Sequence, residues 1–149
     1  MFNRNGLFSS NRLNWATPRA FYDVLNAEFK FDFDPCPTEP DFDGLSVEWG
    51  TRNFVNPPYG NQIKHWVAKA YEESQRGKLV VMLIPSRTDT RWWHDYVMKA
   101  DEVRFVKGRL KFDDRGGSAP FPSAVVVFRG TSCEDSGFPK ISAMRGESG

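Results

Sequence analysis

The run KLVVMLIP, residues 78 to 85, constrains the fold of this chain more than any other stretch. Successive side chains of a strand point to opposite faces of its sheet, so a strand with no polar face needs cover on both sides. The run is therefore a buried strand in a sheet that carries helices on its faces. Pro85 has no backbone N–H to give to a sheet ladder, and it marks where the strand stops.

The segments around it alternate in the way such a sheet requires. Thr17-Pro18 opens a helix over 18–29, with Phe21, Val24, Leu25 and Phe29 at three- and four-residue spacing. A short strand, FDFDP, comes next, then a polar, proline-rich loop through residue 50, and RNFV leads as a strand into NPPYG. Asn61 is expected to cap a second helix, whose apolar face is Ile63, Trp66, Val67, Ala70 and Tyr71 and which ends near Gly77. Thr88 or Asp89 is expected to cap a third, carrying Trp92, Trp93, Tyr96 and Val97. Neighbours on a helix lie about 100° apart, so one of the two tryptophans belongs to the core and the other is partly exposed. EVRFV, a shorter GRLKF and PSAVVVF supply the last strands. The expected architecture is α/β: one compact domain with a mainly parallel sheet and a C-terminal antiparallel hairpin at its edge. Residues 1–14 read as a loose N-terminal segment, 15–129 as the domain, and 130–149 as a Gly/Ser-rich, flexible tail.

Composition narrows the function. Net charge is only +1, which argues against a general electrostatic grip on duplex nucleic acid. The charge is nevertheless uneven. Arg87, Arg91, Arg104, Lys107, Arg109, Lys111 and Arg115 cluster in one region, whereas Glu28, Asp32, Asp34, Glu39, Asp41, Asp43 and Glu48 face only Lys30 in another. Cys36 and Cys133 form no CxxC pair, and His65 and His94 have no ligand spacing, so neither a disulfide nor a metal site is expected. No run has the roughly 18 apolar residues of a membrane span, and MFNRNGLFSSNRLNW lacks the pattern of a signal peptide; the cytoplasm is the expected location.

Ligands of open α/β sheets bind beyond the carboxyl ends of the strands, where both FDFDP and NFVNPPYG end. Asn56-Pro57-Pro58-Tyr59 has a chemistry suited to such a place. An exocyclic amine on a heteroaromatic ring is a poor nucleophile, because its lone pair is delocalised. Two acceptors on its two hydrogens return electron density to nitrogen. The Asn56 side-chain oxygen and the Pro57 carbonyl are the candidates, with Pro58 stiffening the backbone and Tyr59 an exposed ring on which a flipped base stacks. The amine then needs an activated alkyl donor and no strong base.

NPPY is the catalytic signature of the aminomethyltransferases, and the wider string resembles the small phage-type DNA N6-adenine methyltransferases of the Dam type. The resemblance runs from Trp15 to Phe128, through ATPRAFYDVLNAEFKFDFDPCP, DGLSVEW, NPPYG, KHWVAKAYEES, VVMLIPSRTDTRWWHDYV, VRFVKGRLKF and APFPSAVVVF. It implies a Rossmann-like methyltransferase domain that uses S-adenosylmethionine to methylate adenine in DNA, presented as a base flipped from a duplex or in a single strand. It also implies roles for residues. Thr17 and Pro18 match an element near the donor's carboxylate, Asp34, Pro35 and Cys36 the first donor-binding strand end, and Asp43 and Leu45 an acidic segment beside the adenosine. Asn56, Pro57, Pro58 and Tyr59 match the catalytic set. Arg87, Arg91, Lys107, Arg109 and Lys111 are the candidate DNA-facing group, Phe112 a packing residue for the target base, and the loop from Asp113 to Phe121 a clamp on the strand. A homodimer is one way for so small a chain to gain target specificity.

Two alternatives accompany this reading. The same turn also suits cytosine N4, RNA adenine or a protein glutamine as acceptor. Larger methyltransferases carry a GxG turn after their first strand, whereas this chain reads DPCPTEPD, with no glycine after that strand until Gly44; the compact phage type tolerates this, and the missing turn motivates the second alternative, a DNA-binding protein on the same scaffold that has lost its donor.

Overall fold

The computed structural model describes residues 16–111, 118–130 and 137–146. Along the chain come α1 (Arg19–Phe29), β1 (Arg52–Val55), α2 (Ile63–Ser74), β2 (Leu79–Pro85), α3 (Arg91–Asp95), a 3-10 turn at Val97–Lys99, β3 (Glu102–Lys107), β4 (Ser123–Phe128) and β5 (Lys140–Arg145). The strands form one five-stranded sheet in the order β1-β2-β4-β3-β5. β1 pairs parallel with β2 and β3 with β5, while β4 is antiparallel to both β2 and β3. Among the described strands β4 alone runs against the rest.

The α/β class agrees with the sequence, but the sheet is mixed rather than mainly parallel, with two parallel and two antiparallel pairings, and the reversed strand is not at an edge. SAVVVF is apolar at nearly every position and buried throughout; an edge would leave it half wet, so it is enclosed between β2 and β3. The edge belongs to β5, inside the stretch expected to be a flexible tail. KISAMR alternates exposed with half-buried positions, which suits an outer strand and reads weakly in a Gly/Ser-rich context. The other departures are smaller. FDFDP contributes only an isolated bridge, Phe33 to Asn53, and the described residues of GRLKF, 108–111, form no strand. Gln62 rather than Asn61 precedes α2, without a side-chain cap. Thr90 rather than Thr88 or Asp89 caps α3, its hydroxyl accepting from the Trp93 amide.

Strand register assigns the layers. Phe54, Val81 and Val127 are aligned across β1, β2 and β4, and Asn53, Val80 and Phe128 fall on the opposite face. Tyr22 of α1 meets Phe54 edge-on at 5.1 Å, and Tyr71 of α2 meets Phe128 at 6.2 Å, so the two helices cover opposite faces. On α1, Phe21, Leu25 and Phe29 form the buried stripe, each contributing roughly 1.5–3 kcal/mol of burial. Val24 was expected on that stripe and is 60% exposed; it lies about 60° from Phe21 on the side away from Tyr22. Trp93 is core and Trp92 half-buried, as their adjacency requires.

Two ion-pair groups tie helices to the sheet. Arg104 of β3 donates to both Glu28 oxygens at 2.7 and 2.6 Å and to Glu102 at 2.7 Å, a bidentate clip between α1 and β3. Buried Glu73 of α2 accepts from Lys78 at 2.6 Å and from the Trp49 amide at 3.3 Å, with Lys69 at 2.8 Å. Burial alone raises its carboxyl, but these cations and the amide outweigh it and hold the pKa down at about 2.

Candidate active site

The carboxyl ends of β1, β2 and β3 share one edge of the sheet. β1 delivers Asn56 there, β2 delivers Ser86 and Arg87, and the chain entering the reversed β4 brings Ala119 and Phe121 back to the same edge. A cleft of about 300 Å³ opens beside Asn56, lined by Ala16, Thr17, Arg19, Tyr22, Asp34, Cys36, Pro37, Thr38, Phe54 and Asn56. Of the residues singled out in the sequence, Thr17, Asp34, Cys36 and Asn56 meet in this cleft. They come from three segments: the approach to α1, the turn after the Phe33 bridge, and the end of β1.

Asn56 is half-buried and stands between two environments. Its Nδ2 donates to Thr17 Oγ1 at 2.9 Å, on the cleft side. Its Oδ1 accepts from the Tyr59 hydroxyl at 2.9 Å, on the other. The same hydroxyl also lies 3.2 Å from the Leu83 carbonyl of β2, so one proton has two acceptors. Tyr59 is 5% exposed, not the exposed ring that the sequence suggested. It packs edge-to-face on Phe121 at 5.2 Å, and Arg87 places its guanidinium 5.8 Å from the Phe121 ring. Burial holds the Tyr59 hydroxyl protonated well above the ordinary tyrosine range. Pro57 is buried and Pro58 half-buried behind Asn56.

Asp34 turns its Oδ1 back to the Cys36 amide at 2.9 Å, a side-chain turn that closes DPC without glycine. The cleft is concave, so Asp34 keeps solvent contact while protein surrounds it on the remaining sides. That crowding pushes its carboxyl up to about 6, against the opposing pull of the Cys36 amide. Burial, aided by the Asp34 charge, pushes the Cys36 thiol up to about 12, which leaves it neutral and unreactive at ordinary pH. Pro18 precedes α1 and Pro35 is buried under the turn; neither lines the cleft.

Asp43 and Leu45 lie outside the cleft lining as well. Both Asp43 oxygens serve their own turn, accepting from the Leu45 amide at 3.0 Å and the Ser46 hydroxyl at 2.8 Å. Between them Gly44 approaches the Pro35 carbonyl and Trp66 so closely that an added Cβ would sit 2.0 Å from that oxygen. The Gly44 carbonyl in turn accepts from the Trp49 indole at 2.7 Å. DGL is thus a packing joint beneath the DPC turn. In the basic group, Arg87, Arg91, Lys107, Arg109 and Lys111 are all exposed. Arg109 donates to the Ala119 carbonyl at 3.3 Å, linking the end of β3 to the approach to β4. Arg104 belongs to the internal clip instead. Phe112, Cys133 and most of the Asp113–Phe121 loop lie outside the described residues.

Sequence reading missed Arg19, Tyr22, Thr38 and Phe54 in the cleft and Phe121 against Tyr59. Phe54 had a signal: it alternates with Asn53 and Val55 beside the catalytic turn. Arg19 had another, as the first residue of a helix that starts at Thr17-Pro18.

Fold and site together define an α/β domain with an Asn-Pro-Pro-Tyr turn at the carboxyl edge of its sheet, beside a cleft of about 300 Å³. Residues 6–128 match the family model described as DNA N-6-adenine-methyltransferase (Dam), and the chain belongs to that family of DNA-methylating enzymes. It is 27% identical over 126 residues to the DNA N-6-adenine-methyltransferase of Haemophilus phage HP1, covering 75% of this chain and 73% of that one. It is also 27% identical over 115 residues to the DNA N-6-adenine-methyltransferase of Escherichia phage T1. That match covers 68% of this chain and spans about half, 48%, of the T1 protein. The predicted class of enzyme, DNA adenine N6 methyltransferase, is the one the family defines. Among the described residues no helix is long and apolar enough to cross a membrane.

Proposed function

We propose that S-adenosylmethionine occupies the cleft between Thr17 and Asp34, and that the target adenine reaches Asn56 from the Tyr59 side. The observation that carries this reading is the position of Asn56, with its amide nitrogen on the cleft and its oxygen on the aromatic pair Tyr59 and Phe121.

The cleft suits that donor in size and polarity, at the lower end of the volumes that small ligands fill. Arg19 is exposed at the first turn of α1, where unpaired helix N–H groups also favour a carboxylate. Asp34 offers a negative charge to a cationic ligand, and Tyr22 and Phe54 offer aromatic surface to an adenine ring. When bound, the donor supplies an electrophilic methyl group on sulfonium.

The residues of the chain do the rest by positioning. Asn56 Oδ1 and the Pro57 carbonyl accept from the two hydrogens of the adenine amine, which concentrates its lone pair on nitrogen. Tyr59 then turns its proton fully to the Leu83 carbonyl, so freeing Oδ1 leaves no buried hydroxyl unpaired. Tyr59 is buried against Phe121, so a flipped base stacks on its ring only once that pair parts on DNA binding. Arg87, Arg91, Lys107, Arg109 and Lys111 line the approach to phosphate, whose contacts position without reading sequence. A cytoplasmic location follows from the DNA substrate, and a dimer is one source of added specificity.

Incubation with methyl-labelled S-adenosylmethionine and unmethylated DNA, followed by nucleoside analysis, tests the reading. Labelled N6-methyladenine is expected. Label in N4-methylcytosine, or label only in RNA or protein glutamine, would move the acceptor. Failure of the donor to stabilise the protein thermally would empty the cleft assignment.

A further inference from the structure

The ladder between β3 and β5 carries charge at both ends, arranged in opposite ways. At the amino end Glu102 lies across from Lys140, and it also accepts from Arg104 and Arg129 at 2.7 and 2.9 Å. At the carboxyl end Lys107 lies across from Arg145, two cations on one face of the sheet. Like charges directly opposite one another destabilise a sheet. Arg104 and Arg129 are neutralised by Glu28 and Glu102, whereas no described carboxylate does this for Lys107 or Arg145, and both are exposed. The pair is nevertheless held firmly. Gly146 donates its backbone N–H to the Lys107 carbonyl at 3.2 Å. It lies so close to β3 that an added Cβ would sit 2.8 Å from the Val106 side chain. Met144 packs against the core, and at the other end of β5 the Lys140 amide donates to the Asp101 carbonyl at 3.0 Å.

We infer that Lys107 and Arg145 together form a site for a DNA backbone phosphate, so that β5 extends the DNA-facing edge beyond the catalytic turn. The inference rests on the reading above that DNA approaches the carboxyl edge of the sheet, where the ends of β1, β3 and β5 lie together. β5 falls outside residues 6–128, so the match to the family model assigns it no role. In the sheet order it stands four strand spacings from β1, about 19 Å at roughly 4.8 Å each. Along a duplex that distance is about five or six base pairs from the base at Asn56. A phosphate there positions the DNA without reading its sequence, and its charge removes the repulsion between the two cations. Edge strands also carry cations simply to keep other strands away. The salt dependence of DNA binding separates the two roles.

Fluorescence anisotropy with an unmethylated duplex of about 30 base pairs, long enough to reach both places, reads Kd across a series of salt concentrations. Arg145→Gln should weaken binding by about three- to tenfold at low salt, and the double variant with Lys107→Gln should make the slope of log K against log salt shallower by about 0.9, the counterion release of one phosphate. Arg145→Lys keeps the charge and should keep the slope. Lys140→Gln removes one charge from the same strand at the opposite edge of the sheet, and should change affinity by less than about twofold. None of the glutamine variants at the carboxyl end should melt lower than the unaltered protein, since each relieves a repulsion. An unchanged slope in the double variant would overturn the inference, as would an equal loss from Lys140→Gln. Self-association of Arg145→Gln in sedimentation, with DNA affinity kept, would also overturn it and make Arg145 a guard of the edge. If the unaltered protein binds DNA but methylates no adenine, the proposed function falls by itself, and the salt series still decides whether the pair holds a phosphate.

Discussion

Asn53 and Asn56 stand at the two ends of the same short strand and use the same amide in opposite ways. Asn53 is fully buried and gives its side chain to the backbone. Its Nδ2 donates to the Gly50 and Leu79 carbonyls at 2.9 and 3.0 Å, and its Oδ1 accepts from the Gly50 amide at 2.8 Å. Asn56 is half-buried at the mouth of a cleft, and its partners include two hydroxyls, Thr17 and Tyr59, which can turn elsewhere when a substrate arrives. A backbone partner is fixed by the fold, and a hydroxyl partner is exchangeable. The first amide therefore holds a corner of the sheet, and the second is available for chemistry.

The comparison breaks most sharply at Asn56. Asn56→Ala should lower methyl transfer by about 10²–10³-fold, the scale seen when one preorganised polar group is removed from an active site. Donor affinity and melting temperature should stay nearly unchanged. Wild-type turnover in this variant would remove the NPPY turn from catalysis altogether.

Asn53→Ala should do the reverse. It strips partners from the half-buried backbone of Gly50 and from the buried Leu79 carbonyl, at a cost of about 2 kcal/mol in stability. Chemical denaturation reads that loss directly. The rate per folded molecule should remain close to wild type, since the β1 end that carries Asn56 is also held by its ladder with β2. A variant of unchanged stability would mean that Asn53 does not hold the corner.

Much of this division was legible in the sequence, and the legible part has a physical basis. KLVVMLIP could only be an interior strand, and two prolines after Asn56 could only end a ladder and leave a side chain at the sheet edge. Strand order was not legible, because it depends on which strands must be wet. The all-apolar SAVVVF moved inward, and the weakly patterned KISAMR took the edge. In the site, sequence named Thr17, Asp34, Cys36, Asn56 and Tyr59 and missed the residues that long-range packing brings beside them. Arg19 and Tyr22 reach the cleft only because α1 packs on Phe54, and Phe121 reaches Tyr59 only because β4 runs backward. Contacts set by such long-range packing leave no local pattern. Tyr59 is the instructive case: an aromatic after a turn reads as exposed, yet its hydroxyl finds two acceptors and its ring finds Phe121.

Tyr59→Phe separates the ring from the hydroxyl. The ring should still stack, and Asn56 Oδ1 loses a partner that the amine would displace in any case. The expected change is below about tenfold in rate, with about 1 kcal/mol lost in stability as the Leu83 carbonyl loses a donor. Tyr59→Ala should be far worse in both rate and DNA affinity. Equal losses from the two replacements would show that the hydroxyl, not the ring, is what the turn supplies.

The smallest expected effect lies on the cleft side and depends on pH. Crowding in the cleft raises the Asp34 carboxyl to about 6, from an ordinary value of 3.8. Its protonated form is therefore favoured on folding, so Asp34 lowers stability as pH rises from 3.8 toward about 6. A cationic donor favours the ionised form, and binding should pull the pKa back down. Donor affinity should thus tighten, by about three- to tenfold, as pH rises from about 5 to about 7, below the range where the donor's own ammonium group titrates. Calorimetry across that interval checks it, with Asp34→Asn as the control that should bind more weakly and show no slope. A flat profile in the unaltered protein would place Asp34 away from the donor's charge, leaving its carboxylate with the single task of closing the DPC turn on the Cys36 amide.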